Sequence, residues 1–108
     1  MNKKISEITS CPIRNTTELI GGKWTFSIIY ILFNEGTKRF GELENSIEGI
    51  NTRMLVKELK TLEKNKIIER KAYSQIPPKV EYSLTEKGRQ LEGVLNELKI
   101  WGHKYIEL

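Results

Sequence analysis

The chain has 108 residues, 38% of them apolar, one cysteine, and 18 Lys and Arg against 14 Asp and Glu, for a net charge of +4. That length predicts a single domain over residues 1–108, of a size that often gains stability from a second copy. A lone Cys11 excludes an internal disulfide framework, and the longest nearly apolar run, Phe26 to Phe33, is too short for a membrane span.

No apolar segment follows Lys3 and Lys4, so the expected setting is the cytoplasm, with no membrane partner. Residues 1–10 read as a polar lead-in. Cys11-Pro12 opens a first helix, because proline at the first helical position gives up an N–H that would be unpaired there anyway. Ile13, Leu19 and Ile20 supply its apolar contacts, and Gly21-Gly22 ends or kinks it. Trp24 to Phe33 is predicted as a second helix and the most buried element, with Asn34-Glu35-Gly36 as its stop. Thr37-Lys38-Arg39 reads as a very short strand, and Glu42 to Ser46 as the first helix of a helix-turn-helix pair.

Asn51 to Lys64 is the second helix of that pair. Asn51 suits its N-cap, and Gly49 suits the sharp turn before it. At about 100° per residue, Leu55, Leu59 and Leu62 fall within roughly 60° of one another. Arg53, Lys57, Lys60 and Lys64 cluster on the opposite face, with Glu58 and Glu63 on the flanks. Such a stripe is either a solvated lysine face or a phosphate-binding one. The charge distribution favours the second. Residues 1–50 carry six charges of each sign, residues 51–80 carry eight basic and three acidic, and residues 81–108 carry four and five. All the excess positive charge therefore sits on this helix and the segment after it.

Ile67 to Tyr73 and Lys79 to Leu84 read as two strands joined by a turn at Ser74-Gln75-Ile76-Pro77-Pro78. A helix-turn-helix followed by a hairpin is a winged helix. Thr85 then caps one long final helix, despite Gly88 near its start. Its stripe of Leu91, Leu95, Leu98 and Trp101, with Val94 and Tyr105, is long for so small a domain. It either packs on its own domain or pairs with a second subunit; its length favours the second, through an interface of Leu95, Leu98, Trp101 and Tyr105.

The inventory speaks against an enzyme. There is no Asp, and the one His, His103, and the one Cys lie at opposite ends of the chain. No catalytic set, metal cluster or cofactor site assembles from these residues. A winged helix used purely for protein contact is the competing class. RNA is a third partner, but no aromatic platform is evident.

In this order and spacing, a series of short marks is specific: Cys11-Pro12, Ile20 to Trp24, Arg39 to Leu43, Gly49-Ile50, Leu59, Leu62-Glu63, Pro77-Pro78, Val80 to Tyr82, Leu84-Thr85, Gly88 and Trp101-Gly102. Over residues 11–102 the chain resembles the HxlR-type bacterial transcription regulators, a branch of the MarR-like winged-helix proteins. The resemblance implies a mainly α fold with a small β-hairpin wing, N- and C-terminal helices for dimerisation, and a homodimer that binds a two-fold site on double-stranded DNA. It also implies a sensing role for the N-terminal cysteine in some members. Two positions depart from the pattern. Asn51 stands where Ser is usual, and Lys66 where Gly usually closes the recognition helix, which is expected to move the left-handed residue to Asn65.

On this reading the recognition helix enters the major groove with Asn51, Thr52, Arg53, Lys57 and Lys60. Arg53 is placed for base readout, while Lys57, Lys60 and Lys64 meet phosphates. Gln75 and Lys79 serve the wing. Cys11 is open to two readings. One is a small apolar core residue; the other is a thiol answering an oxidant or small-molecule effector, activated by the helix N-terminus and by Arg14 nearby.

Overall fold

The computed structural model describes residues 11–106, so the polar lead-in lies outside the described residues. Helix α1 (Pro12–Ile20) has Pro12 in its first turn, and Gly21 ends it by donating its N–H to Thr17 O at 2.7 Å. Only its C-terminal end meets the core, where Ile20 is buried and Leu19 half-buried. Ile13, expected as a contact, is 75% exposed. Seven positions apart, Ile13 and Ile20 lie on one side of the helix, but exposed Thr16 and Thr17 stand between them, so Ile13 is separate from the core.

Helix α2 (Thr25–Glu35) buries Thr25, Ile28, Ile29 and Leu32. It runs two residues further than predicted because Gly36, at φ 84°, is the residue that turns the chain and donates to Leu32 O at 3.1 Å. Strand β1 (Lys38–Arg39) is followed directly by α3 (Phe40–Ser46). That helix starts two residues earlier than predicted, because the Glu42 side chain reaches back and accepts the Arg39 N–H at 2.9 Å. Gly49 makes the turn at φ 86°.

Helix α4 (Thr52–Lys64) opens on Asn51, whose Oδ1 accepts the Met54 N–H at 2.8 Å. Its leucine face, Leu55, Leu59 and Leu62, is buried as the spacing predicts. At its end the Ile67 N–H returns to Leu62 O and the Lys66 N–H to Glu63 O, both at 3.0 Å. This pair of bonds needs a left-handed residue between them. That residue is Lys66, at φ 60°, and not Asn65, which stays at φ −87°. The reason is local: Asn65 Nδ2 donates to Thr61 O at 2.9 Å and keeps Asn65 in the last turn.

Strands β2 (Ile68–Tyr73) and β3 (Lys79–Leu84) form the hairpin, and β1 joins on the far side of β3, in the order β1-β3-β2, all antiparallel. Tyr82 and Leu84 turn into the core. Instead of one long final helix there are two, α5 (Glu86–Arg89) and α6 (Glu92–Tyr105). Thr85 caps only the first, accepting the Gly88 N–H at 3.0 Å. Gly88 lies against the start of the wing, where an added Cβ would fall 2.3 Å from Ile67 O. The chain then tightens, Leu91 donating to Gly88 O at 3.1 Å, and sets off again as α6.

Lys66 holds a conformation that costs an L-residue roughly 1 kcal/mol. Lys66→Gly is expected to raise stability to urea by about 0.5–1 kcal/mol. Unchanged or lower stability would place the strain elsewhere.

Candidate nucleic-acid interface

The outer face of α4 follows from its inner one. Because Leu55, Leu59 and Leu62 turn inward, Arg53, Lys57, Lys60 and Lys64 are all exposed. Glu58 does not neutralise them. It lies toward α2, where its Oε2 accepts the hydroxyl of buried Thr25 at 3.0 Å. None of the four cations forms an ion pair among the described residues. The stripe is a row of uncompensated charge on a rigid element.

The first turn of α4 is partly committed. Asn51 spends its side-chain oxygen on the cap, which leaves its amide N–H groups free to donate. The Thr52 hydroxyl donates to Glu44 of α3 and ties the two helices together, keeping its acceptor capacity. Arg53 is exposed beside them. Behind the stripe, Lys60 and Glu63 of α4 and Arg70 of β2 border a cleft of about 380 Å³ floored by Phe40, Val56, Leu59 and Tyr82.

The wing departs from expectation at one residue. Gln75 is exposed at the tip. Lys79 is not an outstretched contact: its Nζ lies 3.3 Å from Glu81 Oε2 and 4.8 Å from the centre of the Tyr73 ring. Ile76 went unremarked in the sequence, where its stretch read only as a turn, yet it stands 100% exposed at the tip. An apolar residue flanked by Gln75 and tandem prolines has no partner within the hairpin, and that was the available signal.

The remaining expected residues lie away from α4. Leu95 is buried in the chain's own core, which removes it from the expected interface set. Leu98, Trp101 and Tyr105 are each at least half exposed, with Val94 and Ile100 beside them, and the Trp101 and Tyr105 rings lie 5.2 Å apart. Cys11 is half-buried and does not join the core cluster. Its thiol is held below the ordinary range by the backbone N–H groups of Arg14 and Ile13 at the start of α1. The guanidinium of Arg14 is turned along the helix to Glu18 at 3.1 Å, so its expected influence arrives through the main chain.

A model of the HxlR-like helix-turn-helix family matches residues 19–108. The uncharacterised HTH-type transcriptional regulator YdeP of Bacillus subtilis strain 168 is 46% identical over 99 residues, 92% of this chain and 77% of YdeP. Among solved structures, the redox regulator HypR in its oxidised form matches with a TM-score of 0.82 at 43% identity, over 91% of this chain and 100% of that one. The reduced form of the transcriptional regulator YodB from B. subtilis matches with a TM-score of 0.78 at 40% identity, over 90% and 95%.

The Thr25–Glu58 bond keeps a carboxylate off the stripe at some cost in burial. Thr25→Val should lower stability by about 1 kcal/mol, and Glu58→Gln, which keeps an acceptor, by less. Urea unfolding measures both; a larger loss in Glu58→Gln would show that the bond does not set that side chain.

Proposed function

The chain belongs to the HxlR-like helix-turn-helix family, and from that premise we propose that it is a homodimeric, cytoplasmic transcription regulator that binds double-stranded DNA sequence-specifically. The observation that carries this is the uncompensated stripe of Arg53, Lys57, Lys60 and Lys64 opposite the buried leucine face of α4. Helix α4 lies in the major groove. Arg53, near its N-terminus, reads a guanine, while Asn51 and Thr52 donate and accept beside it. Lys57, Lys60 and Lys64 meet phosphates, and Gln75 reaches the backbone or the adjacent minor groove from the wing.

The dimer reading is supported by the apolar face of α6. Among the described residues, Leu98, Trp101 and Tyr105 are each at least half exposed, and Ile13 is exposed on the first helix. Burying such a face recovers roughly 25 cal/mol for each Å² removed from water. The responsive element is Cys11. It is partly exposed at a helix N-terminus, and HypR, to which the chain is similar, is described as a redox regulator. The lowered thiol means that thiolate is present at a lower pH than for an ordinary cysteine.

A second reading, a winged helix devoted to protein contact, has one observation in its favour: the bare Ile76 at the wing tip. Salt dependence separates the two. On a duplex selected from a random library, Lys60→Ala should weaken binding to all sequences and flatten the salt slope by about one unit. Arg53→Ala should cost about 1–3 kcal/mol and relax preference at one base pair. Wild-type binding by both variants would sink the assignment of α4.

Assembly and sensing have their own measurements. Trp101→Glu should turn a dimer into a monomer by light scattering, and a dimeric variant would show that α6 does not hold the subunits together. Alkylation of Cys11, followed against pH, should reach half its maximal rate below about 8.5. A midpoint at or above that value, with equal DNA affinity of reduced, oxidised and Cys11→Ser protein, would leave the cysteine without a sensing role.

A further inference from the structure

The outer face of the wing carries an arrangement that the contacts of α4 do not use. In the strand register, Arg39 of β1 and Lys71 of β2 stand opposite Glu81 of β3, one on each side, and Tyr73 stands opposite Lys79 nearer the tip. These positions alternate with Tyr82 and Val80, which pack toward the core, so all five share the face turned away from it. Glu81 lies at the centre. Lys79 Nζ is 3.3 Å from its Oε2 and 4.8 Å from the Tyr73 ring centre, and Lys71 Nζ is 5.2 Å from the same ring. The Lys79 and Glu81 side chains are only 27% and 24% exposed, unlike the open lysines of α4. The Tyr73 hydroxyl, and then Lys79, hold the Glu81 carboxyl below its usual range, so it is charged at neutral pH.

A lysine clasped between a carboxylate and an aromatic face gains little more from a phosphate further out. We propose that Glu81 is a specificity-determining residue that limits the wing's share of DNA affinity by holding Lys79 back from phosphate. Phosphate contacts carry no sequence information. Each one withheld from the wing leaves more of the binding to the base contacts of α4. The proposal rests on the reading of α4 as the DNA-contacting helix.

The test uses the full chain and a short duplex of unrelated sequence, titrated across a salt series. The variants are Glu81→Gln, Lys79→Ala, the double variant, and Lys60→Ala as reference. Freed Lys79 adds one phosphate contact, so Glu81→Gln should steepen the salt slope by about one unit, its gain in affinity growing about threefold as salt falls from 200 to 50 mM. Lys79→Ala alone should leave slope and affinity unchanged, and the double variant should match wild type. Lys79→Ala carries the test by itself should Glu81→Gln fold poorly: a slope flattened by about one unit would mean that Lys79 already touches DNA, and would overturn the proposal. An unchanged slope in folded Glu81→Gln overturns it too, provided that Lys60→Ala still flattens the slope. If Lys60→Ala changes nothing, the reading of α4 falls, and the proposal falls with it.

Discussion

The carbonyl of Ile67 lies where the end of the recognition helix, the start of the wing and the approach to the terminal helices meet. It accepts the Thr85 N–H at 3.0 Å, and the Thr85 hydroxyl lies 3.1 Å from it and 2.6 Å from the neighbouring Lys66 carbonyl. Gly88 passes so close that no side chain fits between them. Lys87 adds a bond from its ammonium to Asn65 O at 3.0 Å. Together these contacts lock the left-handed exit of α4 against the first turn of α5. The angle between the recognition helix and the wing is set there, since a residue held at positive φ by bonds on both sides has no freedom left to swing.

From that joint the two surfaces of the protein separate by simple burial. Leucines spaced three and four apart pull α4 onto α2 and the sheet, and whatever stands opposite must face water. The position of Glu58 makes that face cationic and not merely charged, because the buried Thr25 hydroxyl needs an acceptor and takes the one carboxylate that flanks the stripe on that side. Helix α6, by contrast, is anchored in its own core through Leu95 alone and carries its remaining apolar residues outward. Among the described residues, one surface is built from charge that forms no ion pair, the other from apolar area left exposed.

What was legible in the sequence was governed by neighbours within a few positions. The leucine period, the Asn51 cap, the Gly36 and Gly49 turns and the alternation of Lys79 to Leu84 depend on local rules, and the structure follows them. What was not legible depended on groups far along the chain. The break between α5 and α6 comes from Gly88 meeting a carbonyl more than a full hairpin away. Leu95 looked like part of an interface because its stripe continues to Trp101, and only the fold shows that the core ends between Leu95 and Leu98. Lys79 read as one more wing cation because, although Glu81 shares its strand face, the Tyr73 ring that closes on its other side comes from the neighbouring strand. The left-handed turn was the local exception. Asn65 tolerates that conformation better than lysine, but its side chain was already occupied with Thr61.

The indole of Trp24 stands over the turn between the two helices of the motif, its Cη2 3.4 Å from where a Cβ on Gly49 would be, with the Lys23 ammonium 4.6 Å from its ring centre. The other tryptophan, Trp101, lies on the bare face of α6. The chain has only these two, and they stand in different surroundings at different places. Its ultraviolet emission is therefore the sum of two local signals, one from the elbow of the helix pair and one from the exposed apolar surface. Replacing either indole with phenylalanine leaves a protein that reports optically on a single region, with no dye attached.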